Sequence, residues 1–155
     1  MNICKSAFHD QGYWTHGKNK YQIKILPIDS LWGSVKIAKV HQGLEFYDPI
    51  KKDIEKNGMM FPLLVVTATR REILIQKVIW NTAILEPPFK QTKNWQDLNK
   101  LQYVVWGGSN RLQIVKELGY THVDCCMMLG FEHARMHQKM QRKPYLGKYY
   151  KHGSE

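Results

Sequence analysis

The chain is short of cysteine, short of acid and free of any long apolar run. Its three cysteines are an odd number, and two of them, Cys125 and Cys126, are adjacent. Neighbours on a strand point to opposite faces, which excludes a secreted disulfide framework and leaves reduced, mostly buried thiols. No stretch approaches the roughly 18 apolar residues that a membrane span needs, and Met1 to Lys5 opens no signal peptide. The expectation is a soluble, cytoplasmic protein with no membrane partner. No internal repeat or low-complexity tract is visible. Acids number 13 against 23 Lys and Arg, for a net charge of +10. That imbalance asks for an anionic partner such as nucleic acid, a nucleotide or an acidic surface.

What is present suits one α/β domain and a modest tail. The 155 residues are 43% hydrophobic, enough for a real core. The charge excess is uneven and is densest at residues 131–155, which carry six bases against two acids. Bases there alternate with His133, His137, His152, Tyr145, Tyr149 and Tyr150. Such interleaving suits a phosphate backbone with stacked bases, and it makes Arg135, Lys139, Arg142, Lys143 and Lys148 candidate DNA contacts. A solvated, frayed terminus has the same composition.

Residues 1–20 are polar and aperiodic and read as a loosely held arm. Tyr21 to Ile28 alternates as a strand. Asp48-Pro49 opens a helix with Ile50 and Ile54 on one face, and Asn57-Gly58 stops it. The run Leu63 to Val66 is a strand buried on both faces. Residues 67–102 read as an insertion, with a β-like piece from Glu72 to Trp80 and a polar stretch around Trp95. Tyr103 to Trp106 is another buried strand. A helix follows it with Leu112, Val115 and Leu118 on one face, and Gly119 ends that helix. His122 to Met128 is a further strand, and residues 131–142 read as a basic amphipathic helix.

The segment richest in chemistry is the passage from strand through Gly107-Gly108-Ser109-Asn110-Arg111 into helix. Two glycines let the backbone turn tightly and approach a ligand, and the helix aims its unpaired N–H groups and positive dipole end at the turn. Ser109 and Asn110 offer side-chain hydrogen bonds, and Arg111 offers a fork suited to phosphate oxygens. An ordinary strand-to-helix turn with a Ser or Asn cap has the same residues. The segment is neither a Walker loop, which needs Lys-Ser/Thr after the glycines, nor a dinucleotide fingerprint, which needs a third glycine.

Two motifs in order resemble the ParB/sulfiredoxin-like superfamily over roughly residues 21–128. One is Asn57-Gly58-Met59-Met60-Phe61-Pro62 leading into Leu63-Leu64-Val65-Val66. The other is Tyr103-Val104-Val105-Trp106-Gly107-Gly108-Ser109-Asn110-Arg111, and Ile23 to Ile28 resembles the family's first strand. The resemblance implies a mixed sheet with helices, carrying here an insertion at 67–102 and a basic C-terminal helix and tail. It implies ATP or CTP, usually with Mg²⁺, held at Gly107, Gly108, Ser109, Asn110 and Arg111, with Asn57 and Pro62 lining the pocket. Trp106, next to Gly107, is the candidate to stack on a base. Ser109 stands where sulfiredoxins have their reactive Cys, which excludes sulfinate reduction. Ser109 and Asn110 replace the Glu-Arg of partition proteins, and the chain after 128 has no room for their further domains.

Three functions follow from that resemblance and the charge. One is a Mg²⁺-dependent phosphohydrolase or nuclease acting with or on DNA. Another is a kinase phosphorylating a small hydroxylated molecule such as free serine, and a third is a DNA-binding module without enzymatic activity. Catalysis would need a general base, for which Glu45 is the candidate, with His41 alternatively a phosphate-side donor in the catalytic site and Asp48 better explained as a helix cap. A zinc site of Cys125, His133 and His137 is a separate reading of the Cys-x₇-His-x₃-His spacing.

Overall fold

Apolar side chains on both faces of the central strands build a sheet that must be covered twice. The computed structural model describes residues 1–16, 18–33, 47–80, 87–88, 96–107 and 109–137. Among these residues the strands are β1 (Ile3–Cys4), β2 (Tyr13–His16), β3 (Asn19–Pro27), β4 (Leu31–Trp32), β5 (Leu63–Thr69), β6 (Leu101–Gly107) and β7 (His122–Met128). The helices are α1 (Tyr47–Asn57), α2 (Arg70–Trp80), α3 (Ser109–Glu117) and α4 over 131–137. A 3₁₀ turn, Ile28–Ser30, links β3 to β4. The fold is α/β with a mixed sheet.

The sheet runs β2-β3-β7-β5-β6-β4, and β1 also pairs with β7. β7 is therefore its axis. It lies antiparallel to β3 on one side and parallel to both β1 and β5 on the other. Alternation then sorts the core. Leu63 and Val65 of β5, Val105 of β6 and Val123 and Cys125 of β7 face α1 and α3, meeting Tyr47, Ile54, Leu112 and Val115. Leu64, Val66 and Ala68, with Val104, Cys126 and Met128, face the opposite way and meet Ile73 of α2 and Ala134 of α4. Adjacent Cys125 and Cys126 thus lie on opposite faces, both buried and free, as the spacing required. α1 and α3 are also joined at their polar edge, where Glu117 accepts from the Tyr47 hydroxyl and pairs with Lys51 at 3.0 Å.

Two expectations change. The segment from Glu72 to Trp80 is helical. Its start is a capping box: Glu72 N–H donates to Thr69 Oγ1 at 3.2 Å, and Thr69 N–H donates to Glu72 Oε1 at 3.1 Å. That reciprocal pair outweighs the β-branched residues that suggest a strand. The other change concerns residues 1–20, expected as a loose arm. They supply β1 and β2, and Trp14 is buried among aromatic side chains. Their attachments are backbone pairings and a buried carboxylate, which leave no hydrophobic period to read. Of the remaining elements, α1, α3, β3, β5, β6 and β7 lie close to where the pattern puts them, with Gly58 (φ 76°) after α1 and Gly119 (φ 83°) after α3. However, α1 already begins at Tyr47, so that Asp48 lies in its first turn, and β4 has no counterpart in the pattern. Of the expected helix over 131–142, residues 131–137 are helical and 138–142 lie outside the described residues.

Candidate functional site

β6 is antiparallel to β5, so the end of β6 lies beside the start of β5, with Gly107 opposite Leu64. The register shifts between Leu64 and Val65, a bulge just where β6 turns into α3. Arg111, in the first turn of α3, reaches across this junction. Its Nη1 donates to the carbonyl oxygens of Phe61 at 2.7 Å and Pro62 at 3.4 Å, and the residue is 7% exposed. The first turn of α3 contains no acid, so a buried cation stands at the positive end of the helix dipole. Helix starts ordinarily favour the opposite charge. Beside Arg111, Asn110 has a buried Oδ1 that accepts no hydrogen bond among the described residues.

The field of this cation reaches the core thiols. Burial pushes Cys4 up to about 12, the Asp124 charge adds to that rise, and Arg111 works against it. Burial also raises Cys126 to about 12 and raises Cys125, and Arg111 again opposes the shift.

The residues expected around the turn divide. Gly107, Ser109, Asn110, Arg111 and Pro62 come together at the β5–β6–α3 junction. Asn57, at the end of α1, instead donates to Asp53 Oδ1 at 2.9 Å. Trp106 points to the face opposite α3 and packs edge-on against Phe131, with ring centroids 5.0 Å apart. Arg135 is exposed on α4. Gly108, His41, Glu45, Lys139, Arg142, Lys143 and Lys148 lie outside the described residues. The zinc reading through Cys125 fails on placement. Cys125 sits in the core under α1 and α3, whereas His137 packs on Trp14 in the other core.

Two polar clusters that the sequence did not pair occupy that second face. In one, the fully buried Asp124 accepts from Ser6 N–H (2.8 Å), from Ser6 Oγ–H (3.0 Å) and from His9 Nδ1 (2.8 Å). A carboxylate only accepts, so a proton on His9 Nδ1 faces Asp124 and Nε2 faces away from that carboxylate. This is the orientation of a general base, with the His9 side chain one-fifth exposed (20%). In the other, Tyr21 of β3 meets His133 and His137 of α4. Its hydroxyl oxygen lies 3.0 Å from His133 Nε2 and 2.9 Å from His137 Nε2. The spacing of the two histidines was legible as one helical face. Tyr21, 112 residues before His133, was not.

No family model, no curated protein and no solved structure matches the chain. Among the described residues, no helix is long and apolar enough to cross a membrane.

Proposed function

We propose that the chain binds a phosphate-bearing ligand, a nucleoside triphosphate first, at the junction of β6 and α3. The observation that carries this reading is the pairing of a helix start with Arg111 and no acid in the same turn. Such a turn is complementary to an anion, because dipole, N–H groups and guanidinium all favour negative charge there. The order of α1, β5, β6, α3 and β7 is in keeping with the ParB/sulfiredoxin-like resemblance. The reading extends to ATP or CTP with Mg²⁺, to hydrolysis or transfer of the phosphate, and to DNA as the associated polyanion. Glu45 stays the candidate base and His41 the candidate phosphate-side donor. A cytoplasmic setting suits three free, buried thiols.

The guanidinium of Arg111 also holds the Phe61-Pro62 backbone, so replacing it would confound binding with folding. Asn110→Asp separates the two. An acid in the first turn stabilises a helix by about 0.3–1 kcal/mol while repelling phosphate. Calorimetric titration with ATP and CTP, with and without Mg²⁺, is expected to show binding by the native chain. Asn110→Asp should weaken it at least tenfold with the melting temperature unchanged or higher. No binding of either nucleotide by the native chain would overturn the reading. Salt-dependent DNA binding with no nucleotide binding would favour the non-enzymatic module instead.

A further inference from the structure

We infer that Tyr21, His133 and His137 form a binding site for a divalent transition-metal ion of the zinc type. No three His, Cys, Asp or Glu side chains among the described residues are grouped to hold a metal, and here the third donor is a phenol. Three polar atoms converge: Tyr21 Oη and His133 Nε2 at 3.0 Å, Tyr21 Oη and His137 Nε2 at 2.9 Å, and the two Nε2 atoms at 3.1 Å. Donors about 2.05 Å from an ion would sit at these spacings with donor–ion–donor angles of about 90–98°, a facial set with its opposite side open.

Proton counting points the same way. Leu129 N–H donates to His133 Nδ1 at 3.0 Å, so neutral His133 carries its one proton on Nε2. With the His137 proton on Nδ1, the His133 proton and the Tyr21 hydroxyl proton serve two of the three short contacts, and the third is left without a hydrogen bond. A cation at the centre satisfies all three. The competing occupant is a proton on His137, which would make that imidazole a cation.

The surroundings suit an ion better than open solvent would. The His137 ring, 2% exposed, packs edge-on against Trp14 at 5.4 Å, and Ala134 between the histidines is fully buried. Tyr21 and His133 are only half-buried, which leaves a way in. α4 sets the two imidazoles four residues apart on one face, and β3 supplies the phenol from the sheet beneath. On ligation each imidazole gives its Nε2 lone pair to the metal. The His133 proton moves from Nε2 to Nδ1, so His133 can no longer accept from Leu129 N–H, and that amide turns to water. Ligation by the phenolate releases one proton to solvent.

The test uses the full chain, stripped with chelator and titrated with Zn²⁺ against a chromophoric competitor. Native protein is expected to bind one equivalent, and Tyr21→Phe and His133→Gln are each expected to weaken binding at least about tenfold. Both variants are first checked for native circular dichroism and melting, because His137 is too buried to replace safely. The amide resonance of Leu129 should shift on Zn²⁺ loading of the native chain. Absence of stoichiometric binding, undiminished affinity in either folded variant, or an unmoved Leu129 amide would each overturn the site.

Discussion

The guanidinium of Arg111 donates to the carbonyl oxygen of Phe61 at 2.7 Å, joining the first turn of α3 to the approach to β5 across fifty residues of chain. The same side chain is thus a clamp on the fold and the charge of the proposed anion site. Arg111→Met keeps the bulk and removes the donors. It should cost about 1.5–3 kcal/mol, the range for hydrogen bonds to a charged group, read from the urea midpoint. Arg111→Lys should recover only part of that, because one ammonium cannot reproduce the fork.

Asp124→Ala should be more damaging. It removes the acceptor shared by Ser6 and His9 and leaves Ser6 N–H buried without a partner. A loss of about 3 kcal/mol or more is expected, because several hydrogen bonds to one charged acceptor, each in the range of about 1.5–3 kcal/mol, go at once. Limited proteolysis should then cut within residues 1–12, and should spare them in the native chain.

Gly58 and Gly119 form a built-in comparison. Both have positive φ, but a Cβ on Gly58 would lie 2.6 Å from the Lys5 carbonyl oxygen, whereas one on Gly119 meets nothing within 4 Å. Gly119→Ala should cost about 1–2 kcal/mol for conformation alone. Gly58→Ala should cost more, because it also pushes on the Lys5 backbone, and the difference between the two melting curves measures that push.

The thiols predict an alkaline limb in stability. Cys4 and Cys126 are raised from 9.0 to about 12, so the folded chain holds their protons where the unfolded chain releases them. Their contribution is fully present below pH 9.0 and falls as the pH climbs toward about 12. Unfolding free energies measured from pH 8 upward should decline over this window. A triple Cys→Ala variant, weaker at neutral pH, should decline less. Native protein should also resist thiol alkylation at pH 8 until denaturant is added.

Much of this architecture was legible because the relevant signals are local. Leu63 to Val66 and Tyr103 to Trp106 are apolar on both faces, and Asn57-Gly58 and Leu118-Gly119 are stops with a backbone reason. The helix Arg70–Trp80 was hidden by its isoleucines, although Thr69 and Glu72 spell a capping box. The placements of Ser6, His9 and Tyr21 were not legible at all. Each depends on a partner more than a hundred residues away, Asp124 for the first two and His133 for the third. The Gly107–Arg111 turn was readable as a turn, but not that Arg111 would spend a donor on the backbone of Phe61.

The axial position of β7 sets the order in which the chain can assemble. β1 and β3 come early, yet both find their hydrogen bonds on a strand that ends at Met128. Asn2 is held by Thr121, 119 residues later. On the ribosome, β2 and β3 can close on each other as a hairpin, but β1 and the β7-facing edge of β3 must wait until nearly the whole domain has emerged. Folding by such distant pairings is slow relative to a helical protein of this size. During that wait the exposed strands are open to other chains, so yield from rapid expression should improve when synthesis is slowed.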